Sequence, residues 1–153
     1  MRIAIGSDHG GYDLKEKIKD FLAERGHAFV DLGTHDTNSV DYPDISDNVT
    51  HYIIKNGYDF GILICGTGQG MAMSANKKRE IRAALCTDVT MARLAREHGD
   101  CNVLCLGGRL TGDEVAIDIV EMFLKVKFDI ISPRHIKRLK KFSKVWLIYY
   151  ILY

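Results

Sequence analysis

No apolar run in this 153-residue chain approaches the ~20 residues that a bilayer span requires, so no membrane partner is expected. The opening stretch MRIAIGSDHGG reaches charge and glycine after too short an apolar core for a signal peptide. CxxC is absent as well. Cys65, Cys86, Cys101 and Cys105 stand apart, which favours reduced thiols in a cytoplasmic protein over a disulfide framework. The Cys-x3-Cys spacing of Cys101 and Cys105 has no second half, so no metal site is expected. Cys86, Cys101 and Cys105 read as small core residues. Neither sign of charge is in excess: 21 Lys+Arg against 20 Asp+Glu give a net +1, which argues against general nucleic-acid binding. Repeats and low-complexity linkers are missing too. What remains fits one domain with a single core over residues 1–143, ahead of an atypical apolar tail, KVWLIYYILY, at 144–153.

Five short runs are rich in strand formers: RIAIG (2–6), AFVDLG (28–33), FGILIC (60–65), RAALC (82–86) and NVLCLG (102–107). They are continuously apolar, the pattern of parallel strands covered on both faces. Between them, Leu14, Ile18, Phe21 and Leu22 share one helical face, as do Val115, Ile119, Met122, Phe123 and Val126 near the end. Thr111 and Glu114 have the spacing of a capping box for that later helix. The expected fold is an α/β class, three-layer α/β/α sandwich around a five-stranded, parallel, doubly wound sheet, with a C-terminal helix. Ligands bind beyond the carboxyl ends of the strands in such folds.

The strand ends carry reactive side chains. GSDHGG places Asp8 and His9 after the first strand, and CGTGQG places Cys65 and Thr67 after the third. LGGR places Arg109 after the fifth, so these residues belong near one rim. A cysteine facing the first amides of a helix meets the positive end of its dipole, which favours thiolate. The loop Gly66-Thr67-Gly68-Gln69-Gly70 can aim several amides at one oxygen, of a phosphate or of an oxyanion formed beside a carbonyl. Neither the Walker pattern nor G-x-G-x-x-G is present. The rival reading is a tight strand-to-helix turn with a buried cysteine. His98 falls near the end of a helix and therefore on the opposite rim, so it is either a satisfied core histidine beside Met91, Leu94 and Ala95 or a residue that serves a neighbouring subunit. Asp8 can be a helix cap, SVDYPD (39–44) an ordinary proline turn with Tyr42 as packing, and PRHIKRLKK (133–141) a solvated basic face. Arg134 and Arg138, four residues apart, can also clamp a phosphate.

Taken in order over about residues 1–140, GSDHGG, SVDYPD, CGTGQGM, ANK, IRAALCTD, MARLAREH, NVLCLGGR and RH..R resemble the type B ribose-5-phosphate isomerases. That family also holds allose-6-phosphate and galactose-6-phosphate isomerases. The resemblance implies interconversion of an aldose phosphate and a ketose phosphate, without metal or cofactor, in a homodimer whose sites draw on both subunits. Pairing of dimers into tetramers stays open. By the same resemblance Cys65 is the base, the Gly66–Gly70 amides (with Gly68 and Gln69) stabilise the enediolate, and His98 opens the sugar ring. Thr67 and Asp8 lie close to the sugar oxygens, His9, Arg134 and Arg138 bind phosphate, and Arg109 and Tyr42 line the site. Two departures stand out. The family usually reads EHND where this chain reads EHGD, so Gly99 removes a side-chain amide expected near the sugar hydroxyls. The family generally has glycine before its RH, where this chain has SPRH, and the apolar tail at 144–153 differs from the polar endings expected. At about ten residues that tail is too short to span a membrane, and three readings of it stay open: packing on a partner subunit, burial in a larger assembly, or a shifted reading frame near the terminus.

Overall fold

A computed structural model describes residues 1–151, with side chains described as far as Phe142. The strands are β1 (Arg2–Ser7), β2 (Ala28–Asp31), β3 (Phe60–Cys65), β4 (Ala83–Leu85) and β5 (Val103–Gly107). The helices are α1 (Tyr12–Glu24), α2 (Tyr42–Asn56), α3 (Gln69–Ala75), α4 (Val89–Gly99), α5 (Asp113–Lys125) and α6 (Pro133–Ile151), with a 3-10 turn at His9–Gly11. All strand pairs are parallel, in the order β2-β1-β3-β5-β4. The expected doubly wound sandwich and its C-terminal helix are therefore present. The side chains of the apolar tail at 144–153 lie outside the described residues. Among the described residues no helix is long and apolar enough to cross a membrane.

The apolar central strands β1, β3 and β5 bury both of their faces, one against each helical layer, whereas the edge strands β2 and β4 are part exposed. Ile3, Ile5, Ile62, Ile64, Leu104 and Leu106 face α1 and α5, where Leu14, Ile18, Ile119 and Phe123 close the first core. Ala4, Leu63, Cys65, Val103 and Cys105 face the other way, onto Ile45, Val49 and Ile53 of α2 and Met71 of α3. Successive residues of a strand point to opposite faces, so two cores need nearly every residue of β1, β3 and β5 to be apolar. The order places the change of winding direction between β1 and β3, which is where open sheets of this kind form a ligand crevice.

Several local expectations are corrected. The runs at 28–33 and 82–86 shorten to Ala28–Asp31 and Ala83–Leu85, because each lies at an edge with one neighbour only. Thr111 does not cap α5. Its amide donates to Gly107 O at 2.9 Å, which ties it to the turn after β5, and the cap is Gly112 with no side-chain bond. The buried face of α5 is Ala116, Ile119, Val120, Phe123 and Leu124, whereas Val115 is exposed. SVDYPD is more than a turn, because Tyr42 and Pro43 open α2, with proline in the first helical turn where its missing N–H costs nothing.

One buried charge cluster pins α1 to β2. Lys15, fully buried, sends its Nζ to Asp31 Oδ2 at 2.7 Å and to Thr34 O at 2.5 Å, and Lys19 reaches the same carboxylate at 2.9 Å. Burial works to raise the Asp31 carboxyl, but hydrogen bonds from Lys15, Lys19 and the Gly33 amide outweigh it and hold the group below its ordinary range. A carboxyl depressed in the folded state stabilises the fold above its unfolded value of about 3.9 and loses that contribution as pH falls through the folded one. Removing one partner of a buried pair leaves the other charge uncompensated. Lys15→Ala is accordingly expected to lower the unfolding free energy in urea by about 3 kcal/mol. Wild-type stability should fall as pH drops below about 4, and Asp31→Asn should flatten that acid-side loss.

Candidate active site

Three loops leave the carboxyl ends of β1, β3 and β5 and press together backbone to backbone. The Gly108 amide donates to Cys65 O at 2.8 Å and the Arg109 amide to Gly66 O at 3.1 Å, which ties the β5 loop to the β3 loop. The Asp8 amide donates to Ile64 O at 3.1 Å, which ties the β1 loop to β3. A Cβ on Gly108 would stand 2.6 Å from Gly10 O, so only glycine permits this approach.

Cys65 ends β3 with its side chain buried beneath the loop. Its Sγ accepts the Gly68 amide at 3.1 Å, and that turn requires a left-handed φ of +78° at Gly68. A thiolate accepts such a bond more strongly than a thiol does. The Gln69 amide turns to Thr67 Oγ1 at 3.4 Å, which leaves the amides of Gly66, Thr67 and Gly70 as the candidates for holding a ligand oxygen. Thr67 and Gln69 are exposed at the mouth.

The neighbouring side chains surround this loop. Asp8 is almost fully buried and its carboxylate accepts the Gly10 amide at 2.8 Å, so it caps the short turn while lying beside the loop. His9 accepts the Val40 amide on Nδ1 at 3.3 Å, which assigns the neutral ring's proton to Nε2. The Arg109 side chain runs alongside Gly66, and the Tyr42 ring packs where a Cβ on Gly70 would sit. Asp8, His9, Cys65, Thr67 and Arg109 thus meet on one rim, as their strand-end positions require, and Tyr42 joins them from the start of α2.

The second group lies elsewhere. His98 and Gly99 end α4, which feeds the amino end of β5, while Cys65 pairs in register with Gly107 at its carboxyl end. Four residue steps of strand, about 13 Å, separate those ends. His98 is 39 % exposed, so it is not a core histidine, and Met91 on the same face is exposed too. Its ring stacks on His135 with centroids 4.2 Å apart and planes at 12°. Arg134 and Arg138 are exposed on the same first turns of α6. Gly99 has no left-handed φ, a role taken by Asp100 at +43°, and a Cβ on it would meet only Cys101 Sγ at 3.3 Å. Its glycine is therefore not demanded by the backbone. Arg82 and Arg96 hold the Asp100 carboxylate at 2.8 and 3.0 Å. A cavity of about 670 Å³ opens here, lined in part by Gly99, Asp100, Arg82 and Lys140.

His135 carries no signal in the sequence beyond its place between the arginines of RH..R. The contact role of Gly10 and Gly108 has a weak signal, a glycine within three residues of each of these strand ends.

The model of the family described as Ribose/Galactose Isomerase matches residues 3–142. The chain is similar to a solved ribose-5-phosphate isomerase B of Clostridium thermocellum, at 48 % identity and a TM-score of 0.93, covering 97 % of this chain and 99 % of that one. It is also similar to a solved ribose 5-phosphate isomerase of Thermotoga maritima, at 50 % identity and a TM-score of 0.89, covering 94 % and 97 %. A galactose-6-phosphate isomerase subunit LacB of Clostridium acetobutylicum is 41 % identical over 128 residues, 84 % of this chain and 74 % of that relative.

Gly108→Ala is expected to force the loops apart and destabilise the protein by about 1–3 kcal/mol in chemical denaturation. Alkylation of Cys65, followed by peptide mass spectrometry, should become faster than in wild type.

Proposed function

The chain belongs to the ribose/galactose isomerase family, and we propose that it interconverts ribose 5-phosphate and ribulose 5-phosphate in a site completed by a second copy of itself. The observation that carries this reading is the Cys65 sulfur, held under the glycine loop by the Gly68 amide at 3.1 Å with Asp8, His9 and Arg109 around it. The distance between that rim and the exposed His98 supports the second copy.

In this mechanism one copy supplies the Cys65 rim, and the other supplies His98, Arg134 and Arg138. His9 and the two arginines hold the phosphate, the arginines by planar forks suited to its oxygens. His98 opens the furanose. The anomeric hydroxyl loses its proton, the bond from C1 to the ring oxygen breaks, and a proton arrives at that oxygen, leaving a free aldehyde at C1. The Cys65 thiolate then removes the proton from C2, and the electron pair moves to the carbonyl oxygen at C1. Amides of Gly66, Thr67 and Gly70 receive that developing oxyanion, where prearranged donors stabilise the transition state most. The proton returns from Cys65 to C1 as the hydroxyl proton moves from O2 to O1, which gives the ketose with no net gain or loss of protons. Thr67 and Asp8 fix the sugar hydroxyls, and Tyr42 closes the side of the loop.

A second reading, a hexose 6-phosphate isomerase, is favoured by Gly99. Its missing side chain leaves room and one hydrogen bond fewer beside His98, and a relative is named for galactose 6-phosphate. Wild type and Gly99→Asn should be compared by kcat/KM on ribose 5-, allose 6- and galactose 6-phosphate. Ribose 5-phosphate should be preferred, and Gly99→Asn should raise its kcat/KM up to about tenfold, the worth of one hydrogen bond. Preference for a hexose phosphate would establish the second reading instead.

Cys65→Ala and His98→Ala should each abolish the aldose-ketose conversion with the fold retained by circular dichroism. Mixing the two inactive proteins after dissociation should restore about a quarter of wild-type activity, because half of the random dimers carry one intact site. No recovery on mixing would overturn the shared site. Sugar phosphate binding without solvent deuterium entering the product would overturn the isomerase.

A further inference from the structure

His98 has no hydrogen bond to fix its ring among the described residues. The nearest carboxylate, Glu97 Oε1, stands at 4.0 Å, beyond hydrogen-bond reach. A half-exposed imidazole on the last turn of a helix can turn about both side-chain torsions, whereas general acid-base work needs a fixed line to the proton it moves. Enzymes usually meet this need with a carboxylate or carbonyl on the second ring nitrogen. Here the neighbour is a second imidazole. His135 is 2 % exposed and lies parallel to His98, centroids 4.2 Å apart and planes at 12°.

His135 is itself built in. Its amide donates to Ser132 O at 3.1 Å, and Asp129 Oδ1 accepts the amides of Ile131 and Ser132 at 3.0 and 3.1 Å, which shapes the turn into α6. The Asp129 amide donates to Glu97 O at 2.9 Å, so the turn that carries His135 is anchored to the residue preceding His98. The charged and titratable groups around His135 are His98 and Glu97 on α4, Asp129 on the turn, and Arg134 and Arg138 on α6. Burial first, then His98 and Arg134, favour the uncharged His135 ring, against Asp129. An uncharged ring can stay stacked on His98 whether or not His98 carries the proton in transit, which two imidazolium rings could not do.

We propose that His135 is a positioning residue for ring opening, its stacked ring fixing the plane in which His98 meets the oxygen of the closed sugar. This rests on the isomerase reading above. It concerns one step only. Ribulose 5-phosphate has its O5 esterified and cannot close a furanose through it, so exchange of its C1 hydrogen with solvent needs Cys65 but no ring chemistry.

The test uses full-length wild type, His135→Ala and His135→Phe with two measured rates: consumption of ribose 5-phosphate, and entry of solvent deuterium at C1 of ribulose 5-phosphate. His135→Ala should slow aldose consumption about tenfold or more, while deuterium entry stays close to the wild-type rate. His135→Phe, which keeps a flat ring and cannot titrate, should recover most of the aldose rate. Equal loss of both rates in His135→Ala would reduce His135 to a structural residue and overturn the proposal. So would an unaffected aldose rate, or a His135→Phe variant no better than His135→Ala. If wild type performs neither reaction the isomerase reading fails, a different result from any of these, and the proposal falls with it.

Discussion

Backbone contact between the loops that follow β1, β3 and β5 is the constraint on which the candidate site depends. Gly10 O lies where a Cβ on Gly108 would need to be, and the Gly108 amide holds Cys65 O. Three parallel strands about 4.8 Å apart deliver their ends to one rim, but side chains on these residues would keep the loops from meeting. With hydrogen in their place, Asp8, Cys65 and Arg109 come from three distant stretches of chain and surround one small volume. The rest of the fold serves this arrangement. Two apolar cores fix the strands in register, and the change of winding direction between β1 and β3 leaves the rim uncovered. The Lys15–Asp31 cluster holds the neighbouring edge strand against α1.

The proposed function divides its chemistry between two ends of the sheet. The Cys65 end offers backbone donors and nearly buried groups, suited to charge that appears during a reaction. The His98 end offers exposed arginines and a half-exposed imidazole, suited to gripping a dianion and exchanging protons. Neither end suffices alone for an aldose phosphate, whose phosphate and C1 lie at opposite ends of a five-carbon chain. The proposed shared site answers that division as a matter of reach. His98 sits at the carboxyl end of α4 and is part exposed, in position to serve the second copy proposed above.

Much of this was legible in the residues because the signals were strong and local. Continuous apolar runs announced buried parallel strands, and the residues after them could be placed on one rim by topology alone. His98 could be placed on the opposite rim by the same rule. Where the structure departs from these patterns, the same local signal had a second outcome of similar cost. Thr111 has the spacing of a capping box, but its amide is drawn to Gly107 and the helix begins later. Val115 fits the apolar period of α5, yet the helix turns Ala116 and Val120 inward instead. SVDYPD carries a proline that reads as a turn, whereas proline in a first helical turn is equally at home. His135 left no trace in periodicity, because its role comes from a contact between two helices more than thirty residues apart in sequence.

Gly99 shows how structure separates two explanations that a sequence leaves merged. A glycine just after the last side chain of a helix normally signals a left-handed cap. Here Asp100 takes that conformation at φ +43°, supported by Arg82 and Arg96, and Gly99 stays helical. The backbone would accept a side chain, with Cys101 Sγ as the single close neighbour at 3.3 Å. The glycine therefore acts through what it leaves empty. That space adjoins His98 and the basic turns of α6, where the proposed site would hold the far end of a sugar. Under the proposed function, Gly99 would bear on the length of substrate admitted, while folding places little demand on it.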